Sequence, residues 1–303
     1  MKSAQNKIIG AALLSLALPL TAQATGTLQN DYVLAGVSNY GTLGSNKTVS
    51  PGILFDPTGS SIYGINDFLT PGTPFEGFYI TSSAGNYQSN NTGHGSNSFV
   101  GFTIDQISST VVSASASSLD GALGVSNLYS LTTIGGRSAI EITTTLTNNT
   151  ASVLTSLNFL RTLDPDPDVN AYSVYDTTNV TLSDDQACAT GARTGQTICA
   201  FTAATYRHKA GVSASWATNP ATYLAGTNSG NGDYTIGIGF DLGDLAAGDS
   251  LTLTYGYALG ETLDIASGGS TGGGAIPEPS SPLLIATGLL GLAAIRRFKR
   301  KQR

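Results

Sequence analysis

The chain has 303 residues, of which only 11% are charged, and it is rich in glycine, threonine, serine and β-branched side chains. This composition excludes a mainly helical domain and favours strands joined by tight turns. Residues 25–276 carry 6 basic and 19 acidic side chains, a net charge of −13. Such a surface repels phosphate backbones, so we exclude nucleic acid as a partner.

Residues 1–24 have the three parts of a secretory signal peptide. Lys2 and Lys7 form a basic start, residues 8–20 are largely apolar, and Ala22-Gln23-Ala24 is a small-residue cleavage site. The apolar run is too short to span a membrane. We therefore predict export with cleavage after Ala24, the alternative being a buried amino-terminal helix.

Residues 25–266 are predicted to form an all-β domain, a large antiparallel β-sandwich. Period-two alternation and β-branched runs recur, while long amphipathic helical patterns and fixed-period repeats are not seen. Gly135-Gly136 is predicted to turn a hairpin, in whose second strand Ile140, Ile142, Thr144 and Leu146 share one face. The predicted strands include 98–104, 128–134, 139–147, 153–163, 234–240 and 251–259.

Two stretches of this region, 143–168 and 240–248, resemble segments of secreted bacterial β-sandwich proteins. Some of those proteins are similar to the large supersandwich of mutarotase-like domains. The resemblance implies an architecture and transfers no catalytic residue.

The run Asp164-Pro165-Asp166-Pro167-Asp168 is the strongest candidate for a metal site. Two prolines keep the segment extended, so its three carboxylates are expected on one side, where they repel each other unless a cation neutralises them. Calcium accepts many oxygen ligands in irregular geometry and is the cofactor this pattern favours. Asp176, Asp184 and Asp185 are further candidate ligands. The alternatives are a solvated acidic turn and salt bridges with Arg161.

Arg161 lies in an apolar stretch, so its charge needs a partner, and we predict one of these aspartates. Cys188 and Cys199 are eleven positions apart, and in an exported chain we predict a disulfide between them. A two-thiol metal site is the alternative, but no nearby histidine completes it.

No catalytic residue is assigned. The two histidines, His94 and His208, lack a G-x-S-x-G or H-E-x-x-H context. Trp216 is interpreted as a core residue rather than a sugar-stacking platform, and Glu141 as a solvent-facing strand residue. Paired carboxylates for glycoside hydrolysis leave no sequence trace, so a secreted enzyme stays an alternative.

Residues 267–275 form a Gly/Ser-rich linker, and 276–303 have three distinct parts. Pro277-Glu278-Pro279 is stiff and extended, 283–295 is an apolar stretch predicted to form a hydrophobic helix, and a basic cluster follows. Basic residues hold such an end on the cytoplasmic side. The cluster includes Arg296, Arg297, Lys299 and Arg300.

These three parts together resemble the PEP-CTERM sorting signal of Gram-negative bacteria. The resemblance implies an exosortase, a membrane transpeptidase, that removes the tail at the inner membrane and passes the body to the cell surface or extracellular matrix. A permanent tail anchor is the alternative.

We therefore predict an exported protein, first a membrane-anchored precursor and then part of the cell surface or matrix. Its predicted role is structural or adhesive, in association with exopolysaccharide. The alternative is a secreted carbohydrate-active enzyme or a mutarotase-like sugar-binding domain.

Overall fold

A computed structural model describes residues 26–45, 49–70, 75–91, 97–226 and 230–268. The predicted signal peptide, His94, most of the linker and the whole sorting signal lie outside these ranges. None of the helices within them is long and apolar enough to cross a membrane.

The described residues are mostly strands, as the sequence predicted. In chain order the elements are β1 Gly26–Gln29, β2 Val33–Val37, β3 Ile53–Phe55, β4 Glu76–Ser82, β5 Gly85–Asn90, β6 Thr103–Ser108, β7 Val111–Ser117, β8 Leu123–Ile134, β9 Arg137–Asn148, β10 Leu154–Leu163, α1 Val169–Tyr172, β11 Thr177–Ser183, β12 Gln186–Gly191, β13 Thr197–Thr202, β14 Arg207–Ser213, α2 Pro220–Leu224, β15 Gly230–Gly232, β16 Thr235–Leu245, β17 Ser250–Gly260 and α3 Leu263–Ser267.

Three antiparallel sheets contain these strands. The largest has nine strands in the order β15-β11-β12-β13-β17-β9-β8-β7-β6, the second has the order β14-β16-β10-β4-β5, and the third is β1-β2-β3. The nine-stranded and five-stranded sheets pack face to face, and Phe159 of β10 meets Tyr255 of β17 with ring centroids 5.6 Å apart. One apolar core draws residues from all three sheets, which confirms the predicted sandwich.

The β8–β9 hairpin shows how the sequence sets the fold. Ile134 pairs with Arg137 across a two-residue turn, and Gly135 and Gly136 have φ of 58° and 80°, which only glycine adopts without strain. The inward-facing residues of β9 are fully buried, as alternation predicted: Ile140, Ile142, Thr144 and Leu146.

The predicted strand over 98–104 is wrong in its bounds. Phe99 makes only an isolated bridge to Ser118, and β6 begins at Thr103. Gly101 has a φ of 66°, which breaks the extended backbone between them.

Two short helices cover the outer faces of the sheets. In α2 the Asn219 side chain accepts a hydrogen bond from the amide of Ala221, and Pro220 occupies the first turn, which explains where the helix begins. Its Tyr223 packs on Leu160 of the five-stranded sheet. Helix α3 places Ala266 against the nine-stranded sheet.

Cys188 and Cys199 form the predicted disulfide. They lie directly opposite each other on β12 and β13, and both are fully buried beneath α3. The bond therefore ties two neighbouring strands in the nine-stranded sheet.

Replacing both cysteines with alanine is expected to lower the free energy of unfolding by about 2–4 kcal/mol, because the unfolded chain regains the freedom that a short closed loop removes. Urea unfolding of the variant measures the loss. Wild-type protein under reducing conditions should unfold near the variant, and an unchanged midpoint in both would contradict the prediction.

Candidate functional site: a buried acidic cluster

The Asp/Pro run leaves the end of β10 along a path fixed by its backbone. The amide of Asp164 donates to the carbonyl of Phe75 at 2.8 Å, and the amide of Asp166 donates to that of Phe68 at 2.8 Å. Both side chains are buried, with 3% and 2% of their surface exposed. Alternate residues of an extended segment point the same way, so both carboxylates project together.

A third carboxylate joins them from a distant part of the chain. Asp233 lies between β15 and β16, and strand β16 pairs antiparallel with β10 so that Leu163 is opposite Ile236. The pairing ends there, so the Asp/Pro run and the segment that carries Asp233 adjoin the same end of the sheet. Carboxylate oxygens of Asp164, Asp166 and Asp233 lie within 4.8 Å of one another. We call these three residues the acidic cluster.

Burial and mutual repulsion disfavour the charged forms of the cluster. Burial first, and then the charges of Asp166 and Asp233, raise the pKa of Asp164 to about 9. Burial and Asp233 raise the pKa of Asp166 to about 8. Burial also raises the pKa of Asp233, although its side chain is less buried.

Two oxygens of the cluster lack the partners that buried polar atoms normally have. Oδ1 of Asp164 and Oδ1 of Asp166 are buried without a hydrogen bond. The ion pairs found among the described residues join Arg161 to Glu76, Arg207 to Asp241 and His208 to Asp185, so none neutralises the cluster. The arrangement can hold a cation through oxygen ligands or keep its carboxyls protonated.

Asp168, the third residue of the predicted metal set, is not part of the cluster. Its carboxylate is fully buried and accepts hydrogen bonds from the amides of Arg193 and Thr194, at 2.6 and 3.0 Å, and from the hydroxyl of Thr194 at 2.6 Å. Helix α1 begins directly after Asp168, and the extended alternation ends there. The residue therefore holds the loop between β12 and β13.

The other candidate ligands are also placed elsewhere. Asp185 accepts from Nε2 of His208 at 2.6 Å, and the backbone carbonyl of Asp184 accepts from the amide of Ala210. Asp176 is exposed and acts on the cluster only through its charge on Asp233.

Arg161 does not pair with an aspartate, contrary to the prediction. Its side chain points between the two large sheets. Asp164 is three residues further along the extended segment, so its side chain points to the opposite face. Glu76 of β4 is opposite Leu163 and therefore a diagonal neighbour of Arg161. The two side chains form a bidentate ion pair with 1% and 0% exposure.

His208 is engaged through both ring nitrogens. Nδ1 lies 2.6 Å from the carbonyl of Tyr206, and Nε2 lies 2.6 Å from Asp185. Neither nitrogen is left to act as a general base toward a substrate.

Trp216 packs against Phe75 and donates from Nε1 to the backbone carbonyl of Asp233 at 3.0 Å. The interpretation of Trp216 as a packing residue agrees with this, and the same contact positions the loop that carries Asp233. Glu141 is half-buried, and burial raises its pKa.

No pattern in the sequence indicated Asp233 or Glu76 as partners. Each comes close to its partner only because its own or the adjoining strand pairs with β10, which is distant in sequence. A matched register between 153–163 and 234–240, both predicted as strands, is the one signal that would have placed Asp233.

Comparison with known proteins identifies one short motif and one fold. Residues 275–300 match the PEP-CTERM protein-sorting motif. This match includes Pro277, Glu278 and Pro279 and the start of the basic cluster, all outside the described residues. No curated protein matches the chain.

Among solved structures, a bacterial glucoamylase in complex with acarbose is similar to 82% of this chain, with a TM-score of 0.53 and 9% identity. The match covers 33% of the glucoamylase, so the chain spans about a third of that protein's length. A putative aldose 1-epimerase from Escherichia coli K12 is similar over 77% of this chain and 98% of its own, with a TM-score of 0.42 and 13% identity. The glucoamylase likeness is one of fold alone.

The motif thus adds what the body of the chain does not reveal. The chain contains a PEP-CTERM protein-sorting motif, which implies an exported protein that an exosortase-type system sorts.

Proposed function

We propose that this protein is a non-enzymatic component of the Gram-negative cell surface or extracellular matrix, with a structural or adhesive role beside exopolysaccharide. The sorting motif over 275–300 carries the proposal, because a chain sorted in this way leaves the cytoplasm. After export the inner membrane holds the precursor until an exosortase removes the tail.

The chemistry of the body supports a role without catalysis. Glu76, one of the few glutamates in the body, forms a buried ion pair with Arg161 in the core and is therefore not exposed to a substrate. His208 is occupied through both nitrogens. The acidic cluster contains three carboxylates and no histidine, and two of the three are buried away from a substrate in solvent. A secreted carbohydrate-active enzyme is therefore the weaker proposal, and turnover of a glycan that disappears with one carboxylate would favour it.

A surface cleft of about 350 Å³ beside α2 supports an adhesive role. Tyr79 and Tyr87 are among its lining residues, together with neutral amides that include Asn86, Gln88 and Asn219. Such groups donate and accept hydrogen bonds without charge, which suits the hydroxyls of a neutral polysaccharide.

Replacing Pro277, Glu278 and Pro279 together with alanine is expected to keep the protein in the inner membrane with its tail attached, because the exosortase then no longer recognises the motif. Cell fractionation and intact-mass analysis in an exosortase-containing host measure this. Ser280→Ala with Ser281→Ala, directly after the Pro-Glu-Pro tripeptide, is the matched control and should be sorted normally. A wild-type protein that keeps its tail would overturn the proposal in favour of a permanent anchor.

A further inference from the structure

We propose that Asp164, Asp166 and Asp233 bind one calcium ion where β10, β16 and the segment after β15 meet. The inference concerns the body of the protein and is independent of how the chain is sorted. Nothing in the sorting motif requires it.

The position of the cluster is determined by packing rather than by a flexible acidic turn. Both amides of the Asp/Pro segment are hydrogen-bonded to the backbone, at Phe75 and Phe68, and Trp216 holds the carbonyl of Asp233. Three carboxylates are thereby held together although they repel each other. This repulsion destabilises the folded state, and binding of a cation would relieve it.

The unpartnered oxygens are the independent observation that points to a ligand. Oδ1 of Asp164 and Oδ1 of Asp166 are buried and accept no hydrogen bond, on side chains at least nine-tenths removed from solvent. By contrast, the carboxylate of Asp168 in the same run has three hydrogen bonds and needs no ion. The orphan acceptors thus belong to the two buried members of the acidic cluster.

The donor set selects the kind of cation. Three oxygens and no sulfur or imidazole favour a hard ion over zinc or copper. Calcium–oxygen distances of about 2.3–2.6 Å allow two ligands of one ion to lie up to about 5 Å apart, so three oxygens that all lie within 4.8 Å of one another can share one calcium ion. Magnesium needs a tighter octahedron of about 2.0–2.1 Å. Asp233, the less buried member, gives an ion access from solvent.

A bound ion would join elements that lie far apart in the sequence. Asp164 and Asp166 follow β10, and Asp233 precedes β16, the neighbouring strand of the five-stranded sheet. Calcium would therefore strengthen the end of this sheet, and the exported body would be more stable where calcium is available.

The test is a thermal melt of the purified full chain, with its disulfide intact, in excess chelator and in 1 mM calcium chloride, which is about 100-fold above the Kd of about 10 μM at the weak end of calcium sensor sites. A ligand that binds only the folded state raises Tm, and we expect a rise of about 5 °C or more. Isothermal titration with calcium should give one site per chain. Magnesium at the same concentration should shift Tm much less.

Variants separate loss of the site from loss of the fold. Asp164→Asn and Asp233→Asn should abolish the calcium shift while melting in chelator at or above the wild-type temperature, because each removes repulsion. Asp168→Asn, the same substitution in the same run, should keep the rise in Tm on calcium addition, whatever its Tm in chelator. Absence of a shift in wild type, an equal shift in the cluster variants, or a shift with magnesium alone would overturn the proposal, leaving the sorting experiment unaffected.

Discussion

Replacing Glu76 with glutamine is expected to lower the free energy of unfolding by about 3–5 kcal/mol, because it leaves the guanidinium of Arg161 buried without its counter-charge. Arg161 is 1% exposed and Glu76 is not exposed at all. Burial opposes the charge of Arg161, but Glu76 and the neighbouring tyrosines together outweigh it and hold the pKa of Arg161 well above its usual value. Arginine stays protonated in proteins even without a counter-charge, so Arg161 cannot escape the loss by releasing its proton.

The carboxylate of Glu76 also organises groups from the two large sheets and from the segment that follows β2. It accepts from the amide of Leu43 at 2.7 Å and from the hydroxyl of Tyr257 at 3.1 Å, while Arg161 donates to the hydroxyl of Tyr129 at 3.0 Å. Glutamine offers one acceptor oxygen where the carboxylate offers two. Several buried donors would lose partners together, which adds to the cost of the unpaired charge.

Urea unfolding with a double-mutant cycle tests this expectation. Glu76→Gln with Arg161→Met should cost less than the sum of the two single changes, because no charge is then left alone in the core. Glu261→Gln, the same substitution at an exposed position, should change stability by less than about 0.5 kcal/mol. A loss below about 1 kcal/mol in Glu76→Gln would contradict the structural role assigned to the pair.

The same pair explains what sequence reasoning can and cannot predict here. Alternation along 139–147 correctly predicted which side chains of β9 are buried, because that signal is local. Arg161 was correctly expected to need a partner, but the choice of Glu76 depends on the register of β4 against β10. Asp233 is likewise brought beside Asp166 by the register of β16. Pairing between distant strands is set by the whole core, and a single sequence does not encode it in any short window.

The local backbone conformation at Asp168 is the second feature that the sequence did not predict. Asp168 shares its residue type and spacing with Asp164 and Asp166, yet α1 begins directly after it and its carboxylate turns to the loop at Arg193 and Thr194. The proline-based expectation of a continuous extended run was therefore right for two carboxylates and wrong for the third.

In excess chelator, the free energy of unfolding is expected to fall as the pH rises from about 5 to about 8. Folding raises the pKa of Asp164 to about 9 and that of Asp166 to about 8, whereas an unfolded aspartate ionises near about 3.9. Between these values the folded state retains protons that the unfolded state has released. Stability then decreases with pH, at up to about 1.4 kcal/mol per pH unit for each group, and levels off above the folded pKa values.

Calcium should reverse this dependence, because an ion that needs ionised carboxylates binds better as the pH rises. The comparison is urea unfolding at a series of pH values between 5 and 9, in chelator and in calcium, for wild type and Asp164→Asn. Asparagine cannot ionise, so the variant should lose much of the pH slope in chelator and be more stable than wild type at pH 8. A wild-type slope that is flat in chelator would mean that the carboxyls are solvated in the folded state, and the repulsion on which the cation site rests would then be absent.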